Sequence, residues 1–146
     1  LGKVGNGSGE PSYYDITGVV SPGAIAVFYN SKSAPELIEK ANRAGISEVN
    51  SAINFNGDDP MLLVKRSDKS VVDYVGKMGD VDFGKDHTYI RKASVVTGQT
   101  AEHAFDNGEW NTEAKDYFED LGIHSFDGIQ PADKLAKVFP SLRRED

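Results

Sequence analysis

Asp80, Asp82 and Asp86 stand at short intervals around Gly84 and offer oxygen ligands that could wrap a calcium ion. The run lacks the further early ligand and the distal bidentate glutamate that complete an EF-hand loop. Asp58 and Asp59 could add ligands if their loop met this one, although adjacent carboxylates at a strand entry more often make turn hydrogen bonds. A solvated acidic loop is the ordinary alternative. Arg91 and Lys92 are the candidates for phosphate contact; a strand cation more commonly lies over the sheet face or pairs with an acidic neighbour. The three histidines, His87, His103 and His124, are far apart, and none has a ligand-type partner one helical turn away. A shared metal or acid–base role would require the fold to gather them. Trp110 could be a stacking platform, but a lone tryptophan is usually a domain's largest packing piece, so a buried anchor is the expectation. There is no nucleophile elbow, paired-histidine zinc helix or phosphate-binding glycine loop. The absence of cysteine removes disulfides, a thiol nucleophile and cysteine zinc sites. No residue is assigned a catalytic role, and the chain reads as a non-enzyme.

These side chains must be positioned by short elements. Met61 to Lys65 and Val71 to Gly76 flank a turn-rich loop and predict an antiparallel hairpin. Its first arm is uniformly apolar, as for a central strand covered on both sides. Tyr13 to Thr17 predicts a short strand, and Ala24 to Tyr29 a second one, apolar on both faces and therefore internal. Ser33-Ala-Pro-Glu36 has the form of a capping box, and Leu37, Ile38, Ala41 and Ala44 share one side of a helix stopping at Gly45. Thr88 to Ala93 predicts another strand, with Tyr89 and Arg91 opposite to Ile90 and Lys92. Residues 97 to 116 read mostly as loop, with Phe105 and Trp110 anchoring it to a core end. From Pro131 onward, Leu135, Val138, Phe139 and Leu142 suggest a short terminal helix or a linker.

The length of 146 residues suits one domain with its own core. Fifteen glycines and six prolines favour short strands and turns over long helices. Acidic residues outnumber basic ones by 23 to 16, for a net charge of -7, which disfavours nucleic acid as a partner unless a local basic patch compensates. The best patch, Lys134, Lys137, Arg143 and Arg144, is sparse. No apolar run reaches the length of a membrane span. The opening at Leu1 rather than methionine suggests an excerpt of a longer chain.

Five segments occur in an order that resembles a known family: Asn54-Phe-Asn-Gly-Asp-Asp59, Val72-Asp-Tyr-Val-Gly76, Tyr89-Ile-Arg-Lys-Ala-Ser-Val95, Phe105-Asp-Asn-Gly-Glu-Trp110 and Asp116-Tyr-Phe-Glu-Asp-Leu-Gly-Ile-His124. Together they resemble the lamin tail domain in its bacterial form, over most of residues 12 to 125. The resemblance implies an immunoglobulin-like β-sandwich, mostly β; the residue patterns add one helix in a connecting loop and, at the C-terminus, a short helix or a linker. It implies a domain over residues 1–126 and an extension or linker over 127–146. It further implies a non-catalytic recognition or tethering module of a secreted or surface protein, with a protein partner or a neighbouring catalytic domain. The alternatives are a nucleic-acid-gripping accessory of an extracellular nuclease and a calcium-stabilised adhesion module. The family usually opens with a pair of strands that nothing before Tyr13 supplies, so either the excerpt is truncated there or another segment or chain completes the sheet.

Overall fold

The computed structural model describes residues 1–44 and 46–127. The predicted hairpin is present as β5 (Met61–Val64) and β6 (Val71–Val75), antiparallel with Leu62 opposite Tyr74. A bulge between Leu63 and Val64 bends the pair where Val72 is the extra residue. β1 (Gly2–Lys3) adds to the other side of β5, and β2 (Ser12–Tyr13) adds to β1, giving a sheet ordered β2-β1-β5-β6. The strand expected over Tyr13 to Thr17 is therefore shorter and begins earlier. β5 is central in this sheet, but Leu63 is 37% exposed, so the expected cover on both faces holds on one only. On the covered face Val4, Leu62 and Tyr74 form the buried core, with Val64 and Val71 against it.

The second unit is a parallel crossover. β3 (Ala26–Tyr29) leads through α1 (Pro35–Asn42) to β4 (Ile46–Val49), which runs parallel to β3 in register Ala26 with Ile46 and Tyr29 with Val49. Parallel neighbours need such a crossover, and the helix packs back on both strands with Ala41 fully buried. Two expectations are corrected here. The N-cap is Ala34 and no side chain caps it; Ser33 instead closes a turn by donating its N–H to Asn30 O at 2.9 Å, so the capping box does not form. β3 is not internal, because β4 is its one strand partner among the described residues. The helix ends at Asn42 with Arg43 as its C-cap, so Ala44 falls beyond it and the stop comes earlier than predicted; Gly45 itself lies outside the described residues.

The third unit pairs β7 (His87–Arg91) with β8 (Trp110–Ala114), antiparallel, Arg91 opposite Trp110. β8 lies in a stretch that reads as loop, a further correction. Phe83, Tyr89, Phe105 and Trp110 cluster at this end, with Tyr89 and Phe105 ring centres 4.8 Å apart and the Tyr89 hydroxyl donating to Phe83 O at 3.0 Å. Trp110 is half-buried in this cluster, close to the expected anchor. Among the described residues strand outweighs helix, 25% against 11%, as in a small β-rich domain. The segment from Pro131 onward, its predicted helix and its basic residues lie outside the described residues.

Burial pushes the Tyr74 phenol up from its ordinary value, with the Glu102 carboxylate adding to the effect. The folded state thus holds this proton more tightly than the unfolded chain does. Its contribution to stability is complete below about pH 10 and is lost as pH rises through the raised value. Urea unfolding at about pH 9 and about pH 11 should show a steeper loss in the parent protein than in Tyr74→Phe. An identical slope in both would mean that Tyr74 does not titrate with unfolding.

Candidate functional site

A cleft of about 480 Å³ lies between β3 and β7. Residues 25–28 form one wall and residues 88–91 the other, with Leu37 from α1 and Phe118, Leu121 and Ile123 also lining it. The hydrogen-bond phase of each strand sets what these walls present. Tyr29 O accepts from Asn50 N at 3.1 Å, so Val27 and Tyr29 turn their backbone groups toward β4 and Ala26 and Phe28 turn theirs into the cleft. Lys92 N donates to Glu109 O at 2.9 Å, so Thr88 and Ile90 face β8 while Tyr89 and Arg91 offer N–H and C=O to the cleft. The same phase continues to Ala93, whose carbonyl accepts from Asp127 N at 2.9 Å on the open side. Two strand edges therefore border one apolar slot.

Behind that wall Arg91 is held from three sides. Its guanidinium pairs with the Asp73 carboxylate on β6, lies 3.7 Å from Glu109 Oε2 through Nη2, and sits 4.5 Å over the Trp110 ring. The side chains of Arg91, Asp73 and Glu109 are only 16%, 26% and 15% exposed. Gln99 ties the acids together, its N–H donating to Asp73 Oδ1 at 2.9 Å and its amide to Glu109 Oε1. Arg91 Nε makes no hydrogen bond among the described residues. Lys92 points elsewhere and donates through Nζ to Gly108 O at 2.9 Å. The two candidate phosphate contacts thus part company: one is bound into an ion network between sheets, the other fastens a turn.

The three candidate calcium ligands also separate. Asp80 Oδ2 accepts from Phe105 N at 3.1 Å, Asp82 lies 3.5 Å from the Lys85 ammonium, and Asp86 lies 3.6 Å from that of Lys115. Asp59 is buried and accepts through Oδ2 from Asn56 N at 3.3 Å and through Oδ1 from Asn6 N, the turn role weighed for it above. His87 and His103 each set Nδ1 against a backbone carbonyl two residues back, at 2.8 and 3.2 Å, while His124 lines the slot. Among the described residues no three His, Asp or Glu side chains converge to hold a metal ion, and no helix is long and apolar enough to cross a membrane.

Sequence reasoning missed the slot, whose walls are more than fifty residues apart in the chain. The one signal for it was the apolar pattern on both faces of β3, which suits a strand flanked on both sides. Comparison with family models, with curated proteins and with solved structures yields no match.

Proposed function

We propose that the chain is a non-catalytic recognition or tethering module with an immunoglobulin-like β-sandwich fold, related to the bacterial lamin tail domain and working in a secreted or surface protein. The observation that carries this reading is the character of the cleft between β3 and β7: apolar side chains, and strand edges with no ladder partner among the described residues, frame it, which suits binding rather than bond-making. The sandwich reading is supported by a second cavity of about 360 Å³, lined from one side by Met61 and Val75 and from the other by Tyr89, Phe105 and Trp110. In that arrangement β2-β1-β5-β6 forms one layer, and β4-β3 with β7-β8 are parts of the other.

A grip on nucleic acid has less behind it, since Arg91 already faces two carboxylates and the chain carries a charge of -7. The purified protein should show no turnover of nucleic acid, phosphoester or glycoside substrates, and no salt-sensitive retention of DNA at low ionic strength. Turnover above background would end the reading.

A further inference from the structure

We propose that the cavity of about 360 Å³ between the β5–β6 hairpin and the β7–β8 pair binds a small organic ammonium ion, a ring-sized apolar body with one protonated amine, and that Asp59 is its counter-charge. This goes beyond the recognition reading, which concerns the cleft between β3 and β7. Two independent observations carry it. The first is the make-up of the walls: Phe83, Tyr89, Phe105 and Trp110 on one side, Met61 and Val75 on the other. Protein interiors leave few voids larger than a water molecule, so a space of this size with such walls suits an apolar guest. A cavity of about 150 Å³ takes one benzene ring, and this one is more than twice as large, room for a ring with a short arm and its amine.

The second is a buried charge without a counter-charge. Asp59 lines the cavity and is 6% exposed. It accepts from Asn6 N, from Asn56 N and from the Asn56 side-chain amide, three neutral donors. These leave one of a carboxylate's roughly four acceptor sites open and its whole charge unmatched. Among the described residues no lysine, arginine or histidine forms an ion pair with it. Buried charges are ordinarily paired, and a ligand ammonium supplies the missing cation. Aromatic walls favour the same sign of charge; Arg91 already lies 4.5 Å over the Trp110 ring.

The cavity has an entrance. Phe55, Gly57, Gly84, His87 and Thr88 line it and also line a neighbouring surface pocket that holds Asp86, Lys115 and Asp116, so the two spaces meet beside the contact of those loops. Two carboxylates against one lysine make that approach favourable to a cation. The described residues end elsewhere: Asp127 N bonds Ala93 O, six residues along from His87 at the entrance, about 20 Å at ~3.3 Å per residue.

The test titrates the full chain with three probes of one size and different charge: 2-phenylethylamine, 2-phenylethanol and 3-phenylpropionate. Calorimetry gives the affinities, and methyl NMR shifts at Met61 and Val75 locate the binding. The expected result is that the amine binds at least tenfold more tightly than the alcohol, that the acid binds most weakly, and that both methyl groups shift. Asp59→Asn should bring amine and alcohol within about twofold of each other, and Val75→Phe, which fills the cavity, should abolish binding of all three. The probe series on the parent protein decides the matter even where Asp59→Asn fails to fold. Equal affinities for the three probes, a preference for the acid, or shifts confined to Leu37 and Leu121 in the cleft between β3 and β7 would each overturn the proposal. No binding of any probe at millimolar concentration would mean that the chain's own side chains fill the space, and overturns it too. A blocked Gly-Lys-Gly peptide that binds more tightly than the free amine would assign the site to a protein side chain and end the small-molecule assignment. All of these failures leave the recognition reading standing, whereas turnover of a hydrolase substrate with amine binding intact would end that reading alone.

Discussion

Gly57→Ala is expected to lower stability by about 4 kcal/mol, among the largest losses any single methyl group could cause in this protein. The glycine has φ +110°, and a Cβ built there would lie 2.5 Å from Lys85 N, 2.6 Å from Lys85 Cα and 2.9 Å from Gly84 C. All three are backbone atoms, so no side chain can rotate away. The loops must part, and the bond from Gly84 N to Gly57 O at 2.8 Å goes with them. Backbone strain of about 1–3 kcal/mol at such a φ and about 1 kcal/mol for the hydrogen bond make up most of the total. In a domain of this size the midpoint of thermal unfolding should fall by roughly 12 °C. Gly79→Ala is the control. Its φ of +82° is also positive, but nothing lies within 4 Å of the added carbon, so about 1 kcal/mol is expected. Equal losses in the two variants, read by thermal melts, would show that φ alone matters and that the contact between the loops does not.

That contact explains why parts of this chain were legible and others were not. The Asn-Phe-Asn-Gly-Asp-Asp stretch announces a turn, but nothing in it says that the turn lies against residues 84 and 85. The β5–β6 hairpin could be read because its partners are neighbours in sequence and its register follows from a short loop. α1 could be read from Pro35 and the spacing of Leu37, Ile38 and Ala41, whereas its cap could not, because the turn at Asn30 engages the Ser33 backbone. β4 and β8 were missed for a shared reason. Ile46-Ser-Glu-Val49 and Trp110-Asn-Thr-Glu-Ala114 are short and polar, and are strands chiefly because β3 and β7 offer them a ladder. For the candidate site, residue types were visible and partners were not. Arg91 was expected to find an acidic neighbour, yet Asp73 lies in another sheet and Glu109 across a long loop. A slot made by two distant strand edges leaves no local pattern beyond the doubly apolar face of β3.

Arg91→Ala is expected to cost about 3 kcal/mol, because it removes the cation that sits between two partly buried carboxylates. Asp73 and Glu109 would then face each other across the space of the lost guanidinium, held close by Gln99, which bonds to both. Removing one partner of such a group costs more than the group's net contribution, since the desolvated charges stay behind. Arg91→Lys should recover only part of the loss, because a point charge cannot reach Asp73 and Glu109 together or lie flat over the Trp110 ring. Lys92→Ala removes one exposed bond to Gly108 O and should stay within about 0.5 kcal/mol. Asp73→Asn in the Arg91→Ala background should cost less than in the parent, a coupling that a double-mutant cycle would register. Urea unfolding of these variants also separates the two roles weighed for Arg91. A phosphate-contacting arginine held open for a ligand would leave stability nearly unchanged when truncated, and would make Arg91 and Lys92 alike. A wide gap between them instead marks Arg91 as the tie between β6 and β7, holding one wall of the slot against the sheet behind it.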